Sequence, residues 1–137
     1  MLNGRPVTDA LLTPGTGEYE KQLAVHTYEI SDFLVEGTNE IQVTLGDGWY
    51  RSTSGVDGDR NLFGSDLSLL LQMEINGSVV LTSDASWQGS TNGPWRMNDL
   101  QQGEVYDARM SWGAVQYLCR RCLCSKESIR TIYTCQE

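Results

Sequence analysis

Two widely separated polar loops carry the oxygen-bearing side chains that could hold a cation. Asp47 lies just past a predicted strand end in a glycine-flanked loop, whereas Asn98 and Asp99 lie in a second loop far along the chain. Hard cations such as Ca²⁺ take carboxylate, amide and backbone oxygens, so Asp47 and Asn98 are the predicted metal ligands. The alternative is that Asp47 caps its own turn and Asn98 bonds the local backbone.

The same two loops, residues 46–66 and 89–103, lack a regular pattern and are rich in glycine and aromatic residues. Loops of this length inside a compact domain are usually functional or mobile, and their aromatic content favours function. Trp49 and Trp95 are candidates for stacking on a ligand. Core packing is the alternative and is favoured for Trp49 and Trp87, whereas Trp95 follows a Gly-Pro pair in a polar loop and is predicted to be exposed.

The remaining reactive side chains form no recognisable catalytic motif. His26 is the only histidine and lies within a predicted strand, with no serine or cysteine nucleophile supported around it, so a hydrolytic triad is not indicated. Asn3 and Gly4 form a predicted turn. The Asn3 amide could donate to and accept from a ligand, although a turn that needs positive φ is the favoured explanation.

All the cysteines lie in residues 111–137, a predicted divergent tail, so the fold of the predicted domain, residues 1–110, does not depend on disulfides or on a cysteine-bound metal. The spacing Cys119-x2-Cys122-x-Cys124, followed by Cys135, does not match the paired spacing of common zinc sites. Unstructured thiols are favoured over a weak metal site or disulfides.

Charge and hydrophobicity each argue against one class of partner. Residues 1–110 carry 16 acidic and 6 basic residues, a net charge of −10, within a whole-chain net charge of −8. A surface this acidic repels phosphate backbones, so nucleic acid is not an expected partner. No run approaches the roughly 20 apolar residues that a membrane span needs, so no membrane partner is expected either.

Short β-like runs alternate with glycine, asparagine and aspartate turns, and no amphipathic helix pattern appears. Asn76-Gly77 predicts a type I′ hairpin turn, and residues 31–39 predict one helical turn capped by Ser31 or Asp32 and ended by Gly37. Many short strands with frequent turns indicate a sandwich or jelly roll. Strands are predicted at residues 22–30, 41–45, 67–75 and 79–81, around Trp87, and at 104–110.

Five segments resemble the N-terminal domain of bacterial α-L-rhamnosidases over roughly residues 2–110. The pairing of GDGWY with GEVYDAR is the specific part of this resemblance. It implies an all-β, jelly-roll β-sandwich of the galactose-binding-domain-like kind. The segments are LNGRPV (2–7), LTPG (12–15), TYEISDFLVEGTNEIQVTLGDGWYR (27–51), RNLFGSD (60–66) and NDLQQGEVYDAR (98–109).

The resemblance also implies a function. In some members of that family this domain is a carbohydrate-binding module for L-rhamnose with a bound calcium that touches the sugar hydroxyls; in others it is a structural accessory. Calcium-binding members have an Asp-Asn pair where this chain has Asp47-Gly48, which removes one side-chain ligand. The predicted ligand-binding residues are Asn3, Asp47, Gly48, Trp49, Trp95 and Asn98.

The sequence therefore predicts a non-catalytic module that recognises L-rhamnose or a rhamnose-containing plant polysaccharide. Its expected partner is the catalytic domain of a secreted or periplasmic bacterial polysaccharide-degrading enzyme. The alternatives are a structural accessory domain without a ligand and a small glycosidase, although nothing pairs two carboxylates across a cleft. Strands that precede the LNG turn in the family are absent here, so an unpaired edge strand would favour homo-oligomers.

Overall fold

The computed structural model describes residues 1–110 in full and, beyond them, the backbone of two strands, at 119–124 and 129–135. Strands predominate in this described part, which confirms the all-β prediction. Helix is limited there to one 3-10 turn, Ser31–Phe33, and one α-helical turn, α1, at Gly48–Arg51. The strands are β1 (His26–Glu29), β2 (Gly37–Gln42), β3 (Leu70–Ile75), β4 (Ser78–Thr82), β5 (Trp95–Asp99), β6 (Gly103–Tyr106), β7 (Cys119–Cys124) and β8 (Ile129–Cys135).

The strands form three antiparallel sheets. The largest has the order β1-β8-β3-β4, and two smaller sheets pair β2 with β7 and β5 with β6. Strands β7 and β8 from the C-terminal segment thus pair with strands of residues 1–110. The boundary at residue 110 and the jelly-roll sandwich remain predictions, and the predicted thiol chemistry of the tail lies outside the described side chains. No helix among the described residues is long and apolar enough to cross a membrane.

The hydrophobic core is built on strand alternation. Leu71 and Met73 are buried on β3, whereas Leu70 is half exposed, because successive side chains of a strand point to opposite faces. Ile41 of β2 packs into the same cluster and forms an isolated bridge with Leu2. The whole cluster of buried residues is Leu2, Ile30, Leu34, Ile41, Leu71, Met73, Leu81 and Trp87.

The predicted hairpin between β3 and β4 is confirmed. Asn76 and Gly77 have φ values of 51° and 76°, as a type I′ turn requires. His26 lies in β1, as predicted, and its ring stacks on that of Tyr28 at a centroid distance of 6.3 Å.

Several local predictions differ from the structure. The helical turn at Ser31–Phe33 has no side-chain cap, because its N-cap is Ile30 rather than Ser31 or Asp32. The strand predicted at residues 41–45 ends at Gln42 and begins earlier, at Gly37. Trp87 is buried but lies in a bend rather than a strand, because its indole Nε1 donates to the carbonyl of Thr82, 2.9 Å away, and folds the chain back on β4.

The single turn α1 is fixed by Tyr50, which is buried. The Tyr50 ring packs edge-on against Tyr19, with centroids 5.3 Å apart, and lies 6.3 Å from the ring of Phe63. Gly64 adopts φ 154° where any Cβ would collide with the Tyr50 hydroxyl, so this position requires glycine. The aromatic contacts hold α1 in place although it is too short to be stable alone.

Candidate functional site

The two segments predicted as irregular loops, residues 46–66 and 89–103, come together in space, although the first contains α1 and the second contains β5, so that Asn98 and Asp99 lie in a strand rather than a loop. Helix α1 contacts β5, and Gly46 approaches Asn98 so closely that a Cβ on Gly46 would lie 2.8 Å from Asn98 Oδ1. Asp47 and Asn98 therefore lie at the same end of the molecule, although 51 positions separate them in the chain. A site shared by Asp47 and Asn98 requires that both residues lie at one end of the molecule, and they do.

An open cleft of about 950 Å³ lies where these loops meet. Its walls come from residues 43–46, which follow β2, from the loop that includes α1, and from residues 89–92 together with β5. Charged, amide and aromatic side chains share the lining, a mixture typical of sites for polar organic ligands. The charged, amide and aromatic side chains of the lining are Asp47, Arg51, Arg60, Asp66, Asn92, Trp95, Arg96 and Asn98.

Asp47 is held by two arginines. Its Oδ1 accepts from Nε of Arg51 at 2.8 Å, and its Oδ2 accepts from a terminal nitrogen of Arg60 at 2.5 Å. The Asp47 side chain is only 7% exposed, and a buried carboxylate is costly unless it is paired and hydrogen-bonded. Asp47 does not use its side chain to cap α1, so the capping alternative is wrong.

Asp99 is the second buried carboxylate at the site. Its Oδ2 accepts from the backbone N and from Oγ1 of Thr53, and its Oδ1 accepts from the backbone N of Gln101 and Gln102. Burial alone would raise the pKa of Asp99. The hydrogen bonds from the three backbone amides and from the Thr53 hydroxyl outweigh burial and lower the pKa well below its usual value.

Arg60 connects the two carboxylates, since its Nε lies 3.3 Å from Asp99 Oδ2 while its terminal nitrogen contacts Asp47. Asp47, Arg51, Arg60 and Asp99, which we call the ion-pair quartet, therefore contain two positive and two negative charges. The quartet ties the loop of α1 to β5, and three of its members, Asp47, Arg51 and Arg60, line the cleft.

The residues present do not fit the predicted calcium. Both carboxylate oxygens of Asp47 already contact guanidinium groups, and these cations would repel a metal ion. Without Asp47, Asn98 is the remaining predicted ligand, because Gly48 has no side chain that could bind a metal. No group of three or more metal-binding acidic, histidine or cysteine side chains occurs among the residues that the structure describes.

Trp95 and Asn98 both line the cleft. Trp95 is 38% exposed, and its ring is oriented by a 3.1 Å hydrogen bond from Nε1 to Glu104 and by edge contact with Tyr106. Asn98 is exposed, and its amide makes no hydrogen bond with other residues of the described part, so the local-backbone alternative is not observed. The Trp95 ring, held by Glu104 and Tyr106, and the Asn98 amide therefore lie on one wall of the cleft.

The other predicted ligand residues lie elsewhere or serve the backbone. Trp49 is 44% exposed, contrary to the expectation of core packing, but it is not part of the cleft lining. Gly48 is the first residue of α1 and has a φ of 49°. The Asn3 amide donates to Phe33 O and Asn39 Oδ1 and accepts from the backbone N of Glu40, so the structure uses it to hold its turn against β2.

The arginines of the cleft are the residues that sequence reasoning missed. One signal was present, because Asp47 and Arg51 stand four positions apart, a spacing that brings side chains together on a helical turn. Arg60 gave no comparable signal, since its contacts with Asp47 and Asp99 depend on how the two loops fold against each other. The contacts of Arg96 are with backbone carbonyls of its own segment, and no motif marks them.

The chain is similar in sequence to known proteins of one family. Residues 1–121 match the family described as the α-L-rhamnosidase N-terminal domain. An α-L-rhamnosidase of Formosa agariphila is 34% identical over 116 residues, covering 80% of this chain and 12% of the relative. One of Streptomyces avermitilis is 34% identical over 112 residues, covering 79% and 11%. One of an Alteromonas species is 30% identical over 111 residues, covering 77% and 12%.

These relatives are much longer than the chain, which spans about an eighth of their length. No solved structure matches the chain significantly.

Proposed function

The chain belongs to the family of α-L-rhamnosidase N-terminal domains, an accessory domain of glycosidases, and from this premise we propose that it is a non-catalytic carbohydrate-binding domain. Its ligand is L-rhamnose or a rhamnose-containing glycan. The relatives are named for the release of α-L-rhamnose, and an accessory domain that holds the same sugar would keep such an enzyme near its substrate. The catalytic domain of a longer protein is then its natural partner.

The observation that carries the proposal is the cleft wall made by Trp95 and Asn98. Aromatic faces pack against the C–H groups of sugars, while amides donate to and accept from hydroxyls. The hydrogen bond from Trp95 to Glu104 fixes the indole, so little rotational freedom is lost on binding. Binding of one sugar in so open a cleft is expected to be weak, because few contacts offset the cost of association.

The state of the two buried carboxylates, Asp47 and Asp99, supports a non-catalytic role. Glycoside hydrolysis needs two carboxylic groups, one of them held ready to donate a proton. Asp47 is bound by two guanidinium groups, and the lowered pKa of Asp99 keeps it ionised and unable to act as an acid. We therefore expect no release of a chromogenic group from an aryl α-L-rhamnoside by this chain.

Calorimetric titration with L-rhamnose and with rhamnogalacturonan oligosaccharides tests the proposal. Trp95→Ala is expected to weaken binding about tenfold, because ring stacking contributes up to about 1.5 kcal/mol beyond buried area. Trp49→Ala is the matched comparison, since it removes a similarly exposed indole from outside the cleft. Absence of heat with either sugar, or loss of binding in the Trp49 variant alone, would count against the cleft.

A second candidate function is a structural accessory role without a ligand. Val79 and Val80 are about half exposed on β4, which lies at the outer side of the largest sheet. An edge strand with exposed apolar side chains favours contact with another protein surface, either the rest of a longer chain or a second copy. Val79→Lys and Val80→Lys would then reduce association measured by sedimentation, while sugar binding in the cleft stayed unchanged.

A further inference from the structure

Basic residues are concentrated in the cleft. Residues 1–110 contain six lysines and arginines in total, and three of them, Arg51, Arg60 and Arg96, line this one cleft. The remainder of residues 1–110 is strongly acidic, so the cleft is the part of this surface that repels an anion least.

Two of the three arginines are neutralised inside the ion-pair quartet, whereas Arg96 is not part of it. A terminal nitrogen of Arg96 donates to the carbonyls of Thr91 and Gly93, at 3.2 and 3.1 Å, and Arg96 forms no ion pair within the described part of the chain. The pKa of Asp107 is lowered mainly by hydrogen bonds from Arg109, and the charge of Arg96 adds a smaller lowering. The Asp107 carboxylate is bound by both Nε and a terminal nitrogen of Arg109 rather than by Arg96.

Arg96 is therefore a cation held in place by backbone carbonyls, with the rest of its guanidinium left for a ligand. Guanidinium groups recognise carboxylates by two parallel hydrogen bonds, and preorganisation reduces the entropy lost in forming them. Arg96 is adjacent in sequence to Trp95, whose half-exposed ring also lines the cleft. A ligand that satisfies both residues carries a carboxylate on or next to a sugar ring.

We propose that the cleft prefers an acidic saccharide, and that Arg96 pairs with the carboxylate of a uronic acid unit while Trp95 packs against the adjoining sugar ring. This inference rests on the proposed carbohydrate-binding function and narrows its ligand class. Asp66 is the one charged residue of the lining besides Arg96 that lies outside the quartet. Its negative charge opposes the carboxylate, so the preference is moderate and sensitive to salt.

The experiment compares two matched ligands: a rhamnosyl-galacturonic acid disaccharide and the same disaccharide with its carboxyl group reduced to an alcohol. The 137-residue chain should bind the acid about fivefold more tightly at low ionic strength, the factor expected for a partly exposed ion pair. The ratio of the two affinities should fall toward one as sodium chloride is added.

Two substitutions should move this ratio in opposite directions. Arg96→Gln is expected to reduce it to about one while the reduced disaccharide binds as before, and Asp66→Asn is expected to raise it. Because Arg96 also holds the loop of Thr91 and Gly93, Arg96→Lys is included: it keeps the charge without the planar fork, and should give an intermediate ratio.

The possible outcomes separate this inference from the proposed function. Equal affinity for the two disaccharides, or a preference that survives Arg96→Gln in a folded variant, overturns the acidic-ligand inference and leaves sugar binding intact. Failure of both disaccharides to bind overturns the proposed function and the inference with it. A preference that is lost on Arg96→Gln and enhanced by Asp66→Asn supports both.

Discussion

Asp99 and Thr53 are joined by two hydrogen bonds across 46 positions of sequence, from the backbone N and Oγ1 of Thr53 to the same carboxylate oxygen. This contact fastens β5 to the segment after α1 and so fixes the relative position of the two loops. The geometry of the cleft depends on Asp99 being ionised, because a carboxylate accepts all of these hydrogen bonds and a protonated acid does not.

The stability of the domain should therefore fall in acid, and Asp99 should contribute to that fall. The pKa of Asp99 is lowered on folding, so its contribution is fully present above the unfolded pKa of about 4 and is lost as pH falls toward the folded pKa. Asp99→Asn should be destabilised at neutral pH, and the difference from the parent should shrink below about pH 4. Urea unfolding across this range measures it.

Asp57→Asn is the control for this comparison, because Asp57 is exposed in the loop after α1. Its urea midpoint should follow the parent at every pH. A constant difference between Asp99→Asn and the parent down to strongly acidic pH would contradict the assignment.

Calcium should not stabilise the chain. Two guanidinium groups occupy the carboxylate oxygens of Asp47, and a ligand stabilises a protein only to the extent that it binds the native state. The melting temperature should therefore be the same with millimolar calcium and with a chelator. A rise in melting temperature with calcium that magnesium does not reproduce would show that calcium displaces the two arginines from Asp47.

Gly46→Ala should impair binding more than stability. The new methyl group would lie 2.8 Å from Asn98 Oδ1, and the exposed amide of Asn98 can rotate away at a cost of about 1 kcal/mol or less. Sugar affinity is expected to fall severalfold because the amide leaves its place on the cleft wall. Gly17→Ala, where an added Cβ meets no atom within 4 Å, should change neither quantity.

If Asn98 mediates the effect of Gly46→Ala, combining it with Asn98→Ala should give no further loss of affinity than Asn98→Ala alone. Additive losses would place the cause elsewhere in the loop.

Met73→Ala should destabilise the domain by about 2–5 kcal/mol, because Met73 is fully buried on β3 and its truncation leaves a cavity in the core. Val80→Ala on β4, where the side chain is half exposed, should cost about 0.5 kcal/mol or less. Chemical denaturation compares the two. Similar losses for both variants would mean that the core does not lie where β3 places it.

The parts of the fold that sequence predicted are those decided by local chemistry. Asn76-Gly77 forms its hairpin because both residues tolerate positive φ, whatever the rest of the chain does. Trp87 was expected in a strand because of its type and neighbours, but its hydrogen bond to Thr82 and its place in the core select a bend. Tertiary contacts override propensity at such positions.

The candidate site was predictable in location but not in electrostatics. Loop length and aromatic content indicated the two segments that meet, and the exposure of Trp95 agreed with its polar surroundings. Asp47 was expected to hold a metal, yet it binds Arg51 and Arg60 instead. The distance in sequence between Arg60 and Asp99 does not indicate that they pair, because the ion pair forms only when the two loops pack together.

The position of β8 has a consequence for how the largest sheet assembles. Strands β1 and β3 do not pair with each other; each pairs with β8, which follows both in the chain. Nascent polypeptide carrying β1, β3 and β4 thus has a gap at the middle of this sheet until Ile129–Cys135 leaves the ribosome. Until then the open sides of β1 and β3 are exposed to other chains, and productive folding is delayed until synthesis has passed that point.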